Sequence, residues 1–472
     1  MSANIPHRRD LFSWTARGLG AAALLHLLAK PGHGVEVRPH HAAKAKRVVH
    51  ICLIGGLSHI DSFDPKPELA KRHGQKLDSQ QKPDVFFGQI GLLRKADWAF
   101  RERGKSGLPV SDLFPHLAGQ ADRITVIRSM RADSANHTPA LYLQNSGFQS
   151  SGFPSVGAWA SYGLGSVAED LPAYVVLPDP RGQPNGGASI WSSGFLPGEH
   201  QGTLFGSGKN PVRDLFPTKS IGQEEERESR ELLNSFNSLH RDRRGDADPL
   251  LAARLRSYEL AAKMQLSVPE IADISKETEE TQKLYGLDRK ITAPFGKNCL
   301  LARRLLEKGV RFVQLFSGGA IAGTPRTSWD AHEDVKENHS AEAELIDKPI
   351  AGLLADLDRT GLLKDTLVLF TTEFGRTPFT QAAGNAIGTG RDHNKYGFSV
   401  WMAGAGLKPG TAYGATDEIG WQAVENSVEW YDFHATLLHL LGLDHEKLTH
   451  YHNGIQRRLT NVHGEVISGI LA

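Results

Sequence analysis

Residues 362–378 (LLKDTLVLFTTEFGRTP) constrain the chain more than any other stretch. The run from Thr366 to Thr371 is short, continuous and apolar, with β-branched residues among it. A half-solvated strand alternates polar and apolar residues, whereas an unbroken run suits a parallel strand covered on both faces. Glu373 stands where the apolar run stops, followed by Gly375 and Arg376. Open α/β sheets place their ligand sites at the carboxyl ends of such strands. Glu373 is therefore the first candidate site residue.

Similar runs recur at 47–56 (RVVHICLIGG), 124–128 (ITVIR), 173–177 (AYVVL), 310–316 (VRFVQLF) and 398–403 (FSVWMA). Helical spacing separates them at 140–144, 155–163, 299–307, 340–360 and 432–442. In the longest of these, Leu345, Ile346, Ile350, Leu353, Leu354 and Leu357 share one face. Pro349 inside it predicts a kink or a division. Strands alternating with helices predict an α/β domain over 46–443, with a mainly parallel sheet covered by helices on both faces. Residues 110–117 read as the approach to a helix, 67–100 as irregular, and 390–394 as part of a loop. Residues 224–288 are charged and read as a helical insertion over the sheet, a candidate lid. The polar stretch 444–472 reads as a C-terminal tail.

The first 34 residues read as a targeting segment rather than as fold. Arg8 and Arg9 precede a mildly apolar run at 19–29, too short to span a bilayer. The arginine pair resembles a twin-arginine export signal. It predicts transport of a folded chain by that machinery to the periplasm or cell surface, and no other segment reads as a membrane span. Net charge is +1 with 23% charged residues. No basic stripe is interleaved with aromatics, which argues against nucleic acid as a partner. Two cysteines, Cys52 and Cys299, lie far apart and form no metal-type cluster.

Acids and histidines follow the predicted strands. Asp61 follows the first, in a loop that also carries His59 and Asp64. Asp330 and His332 follow the 310–316 strand, Glu373 ends the next, and Asp392 and His393 come in the loop after it. Carboxylate oxygens with imidazole nitrogens suit a divalent ion such as zinc or manganese. Six such groups suffice for one ion or two. A pair would clamp both oxygens of an in-line displacement.

The segments RRDLF (8–12), GGLSHIDSFDPKPEL (55–69), NHTPALYLQNSG (136–147), SWDAHED (328–334), EFGRTP (373–378) and GRDHN (390–394) together resemble an exported bacterial family, domain of unknown function 1501. That family is assigned to the alkaline phosphatase-like superfamily, which includes the sulfatases. The resemblance implies an alkaline phosphatase-like fold and one or two divalent ions, whether zinc, manganese or calcium. It also implies an anionic ester substrate, a small phosphate or sulfate ester or a sulfated or phosphorylated glycan. By position it implies Glu373, Asp330, His332 and His393 as metal ligands, with Asp392 beside them, Asp61 displaced from the N-terminal acid, and His339 a rival to His332. Gly55 and Gly56 occupy the place after the first strand where the superfamily carries acid. The nucleophile register falls on His137, with Thr138 one residue away. Thr138 before Pro139 equally suits a helix N-cap. Arg376 and Arg391 suit either an anion oxygen of the substrate or a salt bridge within the loop. The departures from the superfamily pattern leave a second expectation, a non-catalytic binding protein on the same scaffold.

Overall fold

The apolar run at 366–371 forms a strand, Thr366–Thr372, with every residue buried. A computed structural model describes residues 39–78, 83–206, 211–213, 215, 224–225, 228, 231–232, 235–237, 249–321, 326–384 and 386–472. The signal-type segment 1–34 lies outside the described residues, as does much of the first part of the 224–288 insertion.

Twelve strands carry the architecture: β1 (Arg47–Leu53), β2 (Phe100–Arg103), β3 (Leu108–Ser111), β4 (Ile124–Met130), β5 (Tyr174–Leu177), β6 (Thr203–Leu204), β7 (Phe312–Ser317), β8 (Thr366–Thr372), β9 (Gly375–Thr380), β10 (Arg391–Asn394), β11 (Phe398–Gly404) and β12 (Thr411–Tyr413). Eight of them form one sheet in the order β12-β4-β11-β8-β1-β7-β5-β6. Only β11 runs against its neighbours, β4 and β8. The fold is thus mixed α/β with a mostly parallel central sheet.

Both faces are covered, and the side chains of β1 show it. Val49, Ile51 and Leu53 enter one apolar cluster, Val48 and Cys52 the other. Six helices do most of the covering: α1 (His137–Ser146), α2 (Val156–Leu164), α3 (Pro249–Ala272), α4 (Ala293–Glu307), α5 (Val335–Arg359) and α6 (Trp430–Leu440). The first cluster takes Val268 of α3, Leu305 of α4 and Leu353 of α5. The second takes Leu141 of α1, Trp159 of α2 and Leu437 of α6. Helix α5 passes through Pro349 as one element, and its N-cap is Asp334, whose side chain accepts from the Glu337 N–H. Among the described residues no helix is long and apolar enough to cross a membrane.

The stretch 110–117 does lead into a helix, a 3-10 helix at Leu117–Arg123, and it also contains the end of β3. Three local expectations change. The expected loop at 390–394 is β10, paired antiparallel to β9 with a bulge between Arg391 and His393. Part of the 224–288 insertion is core, since α3 buries Met264, Val268 and Ile271. The 444–472 stretch also folds onto the domain: Leu448, Leu459, Ile467 and Ile470 enter the second cluster, because a few well-spaced apolar residues suffice to dock a polar segment.

Strand direction decides where chemistry gathers. Leu53 of β1 lies opposite Ser317 of β7 and Thr372 of β8, so all three strands end at one edge. β4 points the same way as β8, both being antiparallel to β11. β11 begins where its neighbours end. The segments after β1, β4, β7 and β8, and the one before β11, therefore meet.

Candidate metal centre

Four side chains converge at that edge. His137 comes from the first turn of α1 after β4, Asp330 and His332 from the segment after β7, and His393 from β10. Each offers one ligand atom, and the four atoms lie within 4.8 Å of one another. Asp330 Oδ1 is the common point, 2.7 Å from His332 Nε2, 3.2 Å from His393 Nε2 and 3.3 Å from His137 Nε2.

The far nitrogen of every ring meets an acceptor. His137 Nδ1 donates to Glu373 Oε1 at 2.7 Å, His332 Nδ1 to Gln381 Oε1 at 2.5 Å, and His393 Nδ1 to the Ala135 carbonyl at 2.6 Å. These acceptors keep the proton on Nδ1, so each Nε2 turns a lone pair toward the centre. His332 Nε2 and His393 Nε2 face each other at 2.9 Å. The buried His137 Nε2 has no aligned hydrogen-bond partner. Lone pairs and a carboxylate crowded together this way repel unless positive charge lies among them. Anchoring of the distal imidazole nitrogen is the support that metal-ligating histidines receive. The donor set of imidazole nitrogens and one carboxylate oxygen fits a divalent ion.

Charge is arranged to match. Burial opposes ionisation of Asp330, but the Arg376 guanidinium and the three imidazoles hold its carboxyl well below the usual carboxylate range. Burial also disfavours the His137 imidazolium, yet Asp330 and Glu373 together raise its pKa. A proton on His137 and a divalent cation are thus competing ways to supply the same positive charge. Burial keeps His393 neutral, well below its ordinary pKa. Two arginines frame Asp330: Arg376 on Oδ1 at 2.7 Å and Arg326 on Oδ2.

Of the residues named from sequence, the fold gathers His137, Asp330, His332 and His393 and places the others around them. Glu373 stands one bond behind His137, its oxygens also taking the N–H groups of Gly55 at 2.8 Å and Gly56 at 3.3 Å. Asp61 lies outside the cluster because Ser58 Oγ at 2.5 Å, the Asp97 N–H at 2.8 Å and Arg391 Nε at 3.1 Å hold it elsewhere. Asp392 is also outside, accepting from the N–H groups of Phe87 and His393. His339 Nε2 accepts from the Ser58 N–H at 3.0 Å and does not join the four. Thr138 is half-buried in the first turn of α1, whose N-cap is Asn136, so Pro139 is the third helical residue rather than the first. Arg376 is fully buried and bonds the carbonyls of Gly55, Gly56 and Arg391 besides Asp330. Arg391 is equally buried, on Asp61 and the carbonyls of Thr377, Arg94 and Lys95.

Glycines fix the approach of these segments. A Cβ on Gly390 would fall 1.6 Å from the His332 carbonyl oxygen, so only glycine lets that segment lie beside β10. Gly55 has φ +119°, and a Cβ there would meet the Asp330 backbone nitrogen at 2.4 Å. No carboxylate side chain fits at the end of β1 in this backbone. Sequence reading passed over Ala135, Gln381, Arg326, Phe86 and Phe87, whose partners at the centre lie up to about three hundred residues away. The one local signal was the paired phenylalanines in an otherwise polar stretch.

Comparison with curated proteins gives no match. Among solved structures, the chain is similar to one from work on glycosaminoglycan metabolism by Bacteroides thetaiotaomicron, at 11% identity and TM-score 0.37, covering 85% of this chain and 73% of that one. It is similar to a phosphonate monoester hydrolase from Silicibacter pomeroyi at 14% identity and TM-score 0.31, covering 70% and 68%. It is also similar to an alkaline phosphatase from the Antarctic bacterium TAB5 at 13% identity and TM-score 0.32, covering 78% and 94%. A family profile described as protein of unknown function (DUF1501) matches residues 45–471, a span that contains β1, every segment of the cluster and the docked C-terminal stretch, and the chain belongs to that family.

Proposed function

We propose that this chain is a hydrolase of phosphate or sulfate esters that works with one divalent ion held by His137, Asp330, His332 and His393. The observation that supports it is the shared orientation of three imidazoles, each proton-anchored at Nδ1 and directed at Asp330 Oδ1 by Nε2. A bound divalent ion would polarise an anionic ester oxygen and acidify a water. The chain's residues do the rest. Glu373 and Gln381 orient two rings, and Arg376 fixes the carboxylate of Asp330. Thr138, next to His137 at the start of α1, carries the hydroxyl suited to attack. In this reading the ion is single, because the four ligand atoms form one group within 4.8 Å while Glu373, Asp61 and Asp392 are engaged by other partners. The substrate is a small ester or a sulfated or phosphorylated glycan.

A second reading, a non-catalytic metal-binding protein, is favoured by one observation: the register of the superfamily's nucleophile is filled by His137, which turns its Nε2 to the centre. One assay separates the two. Protein purified without chelator and loaded with zinc, manganese or calcium is expected to turn over an aryl phosphate or an aryl sulfate, and Asp330→Ala is expected to abolish that turnover. Loaded protein inert toward both aryl esters and also toward a sulfated and a phosphorylated glycan removes the hydrolase reading and leaves the binding one.

The chain is also proposed to be exported by a twin-arginine route to the periplasm or cell surface, on the strength of Arg8-Arg9 ahead of the 19–29 apolar run. Replacing both arginines by lysine is expected to retain the protein in the cytoplasmic fraction. Unaltered export of that variant would count against the route.

A further inference from the structure

Two aromatic side chains beside the centre stand half in water. Phe86 is 44% exposed and Phe87 53% exposed. Both rest on the imidazoles of the cluster. The Phe86 ring stacks on His393 with centroids 4.9 Å apart and planes 29° apart. The Phe87 ring meets His332 edge to face at 4.8 Å and His393 at 6.1 Å. The two phenyl rings touch each other at 4.9 Å, nearly perpendicular.

The segment that carries them is tethered. The Phe87 N–H donates to Asp392 Oδ2 at 2.8 Å, and Tyr396 Oη donates to Asp84 Oδ2 at 2.8 Å. Asp392 is thereby given a task that its position next to His393 did not suggest. Covering the exposed part of these rings with apolar surface is favourable, and their particular feature is that they stand against His332 and His393. Here the pair is held against two groups that orient toward the cation site, so what covers it would also reach that site.

We propose that Phe86 and Phe87 form a platform for the organic part of the ligand, and that the site prefers an anion carried on an aromatic ring over one carried on a short alkyl group. This rests on the cation-binding reading above. An incoming ring would complete an aromatic cluster at the 4.5–7 Å spacings such rings favour, while its anionic end lies toward the centre.

Calorimetry on the full zinc-loaded chain tests this with two probes that are not hydrolysed, phenylphosphonate and methylphosphonate. The native chain is expected to bind phenylphosphonate about tenfold tighter. In the double variant Phe86→Ala, Phe87→Ala the preference is expected to fall to about twofold or less, with metal content and methylphosphonate affinity unchanged. Phe87→Tyr, which keeps the ring, is expected to retain the preference. Equal affinities in the native chain, or binding of neither probe, overturn the proposal. So does a preference that survives the double variant. Loss of metal with the preference intact would make the pair a cover for the ion and nothing more, which also overturns it. A platform confirmed in a chain that turns over no ester would remove the hydrolase reading while leaving this one in place.

Discussion

Asp330→Ala is expected to cost the chain both its metal and much of its stability. Metal affinity should fall at least about 100-fold, since loss of even a supporting residue costs about 10–100-fold and Asp330 Oδ1 is the atom on which all three imidazoles converge. The second effect is independent of metal. Arg376 is fully buried, and among the described residues Asp330 is the one carboxylate bonded to its guanidinium. Removing one partner of a buried ion pair costs about 3–5 kcal/mol. Urea denaturation in chelator should show that loss, and a metal titration should show the other. His393→Ala is the contrasting case: it should weaken metal binding while sparing most of the chelator-treated stability, because it strands no buried charge. Similar stability of the two variants in chelator would mean that Arg376 does not depend on Asp330.

Acid should destabilise the chain well before its carboxylates protonate. Burial lowers His50 to about 3, with the charge of His434 adding to the shift. Burial lowers His339 to about 3, outweighing the opposing charge of Asp61. Burial lowers His434 to about 4, outweighing its hydrogen bond to the Gln144 carbonyl. In the unfolded chain each takes up a proton near pH 6.5. The stability of the neutral forms is therefore complete above that pH and is lost as pH falls toward 3–4. Each group costs roughly 1.4 kcal/mol per pH unit in that window. His137 acts the other way, since its pKa is raised. So does Asp347, which burial raises to about 6. The three histidines together lose roughly 6 kcal/mol by pH 5 and Asp347 alone returns about 1.4 kcal/mol, so with His137 also opposing the net loss is roughly 3–5 kcal/mol, near the lower end of the whole stability of many domains. Denaturation midpoints measured in chelator at pH 7, 6 and 5 should fall steeply, and a flat profile would contradict the neutral buried state of these histidines.

The legible parts of the fold were those that a continuous local pattern encodes. β1, β7 and β8 are unbroken apolar runs, and burial on both faces leaves a strand few other solutions. The parallel register of these strands then makes any residue just past a strand end a candidate, which is how Asp330, His332, Glu373 and His393 came into view. The same rule admitted Asp61, because nothing local says that Arg391, 330 residues away in the chain, holds it apart. The choice between His137 and Thr138 at the start of α1 turns on one helical step of about 100°, which spacing alone does not resolve. β9 and β10 are short and broken by a bulge, so their polar residues read as loop. The platform of Phe86 and Phe87 depends on contacts that exist only once the sheet has closed.

The most direct test of the cation site is metal stoichiometry by mass spectrometry on protein purified without chelator, joined to X-ray absorption at the metal edge. The arrangement of His137, Asp330, His332 and His393 predicts one divalent ion per chain, with imidazole nitrogens dominating its shell. Two ions per chain, or none after saturation with zinc and manganese, would contradict it.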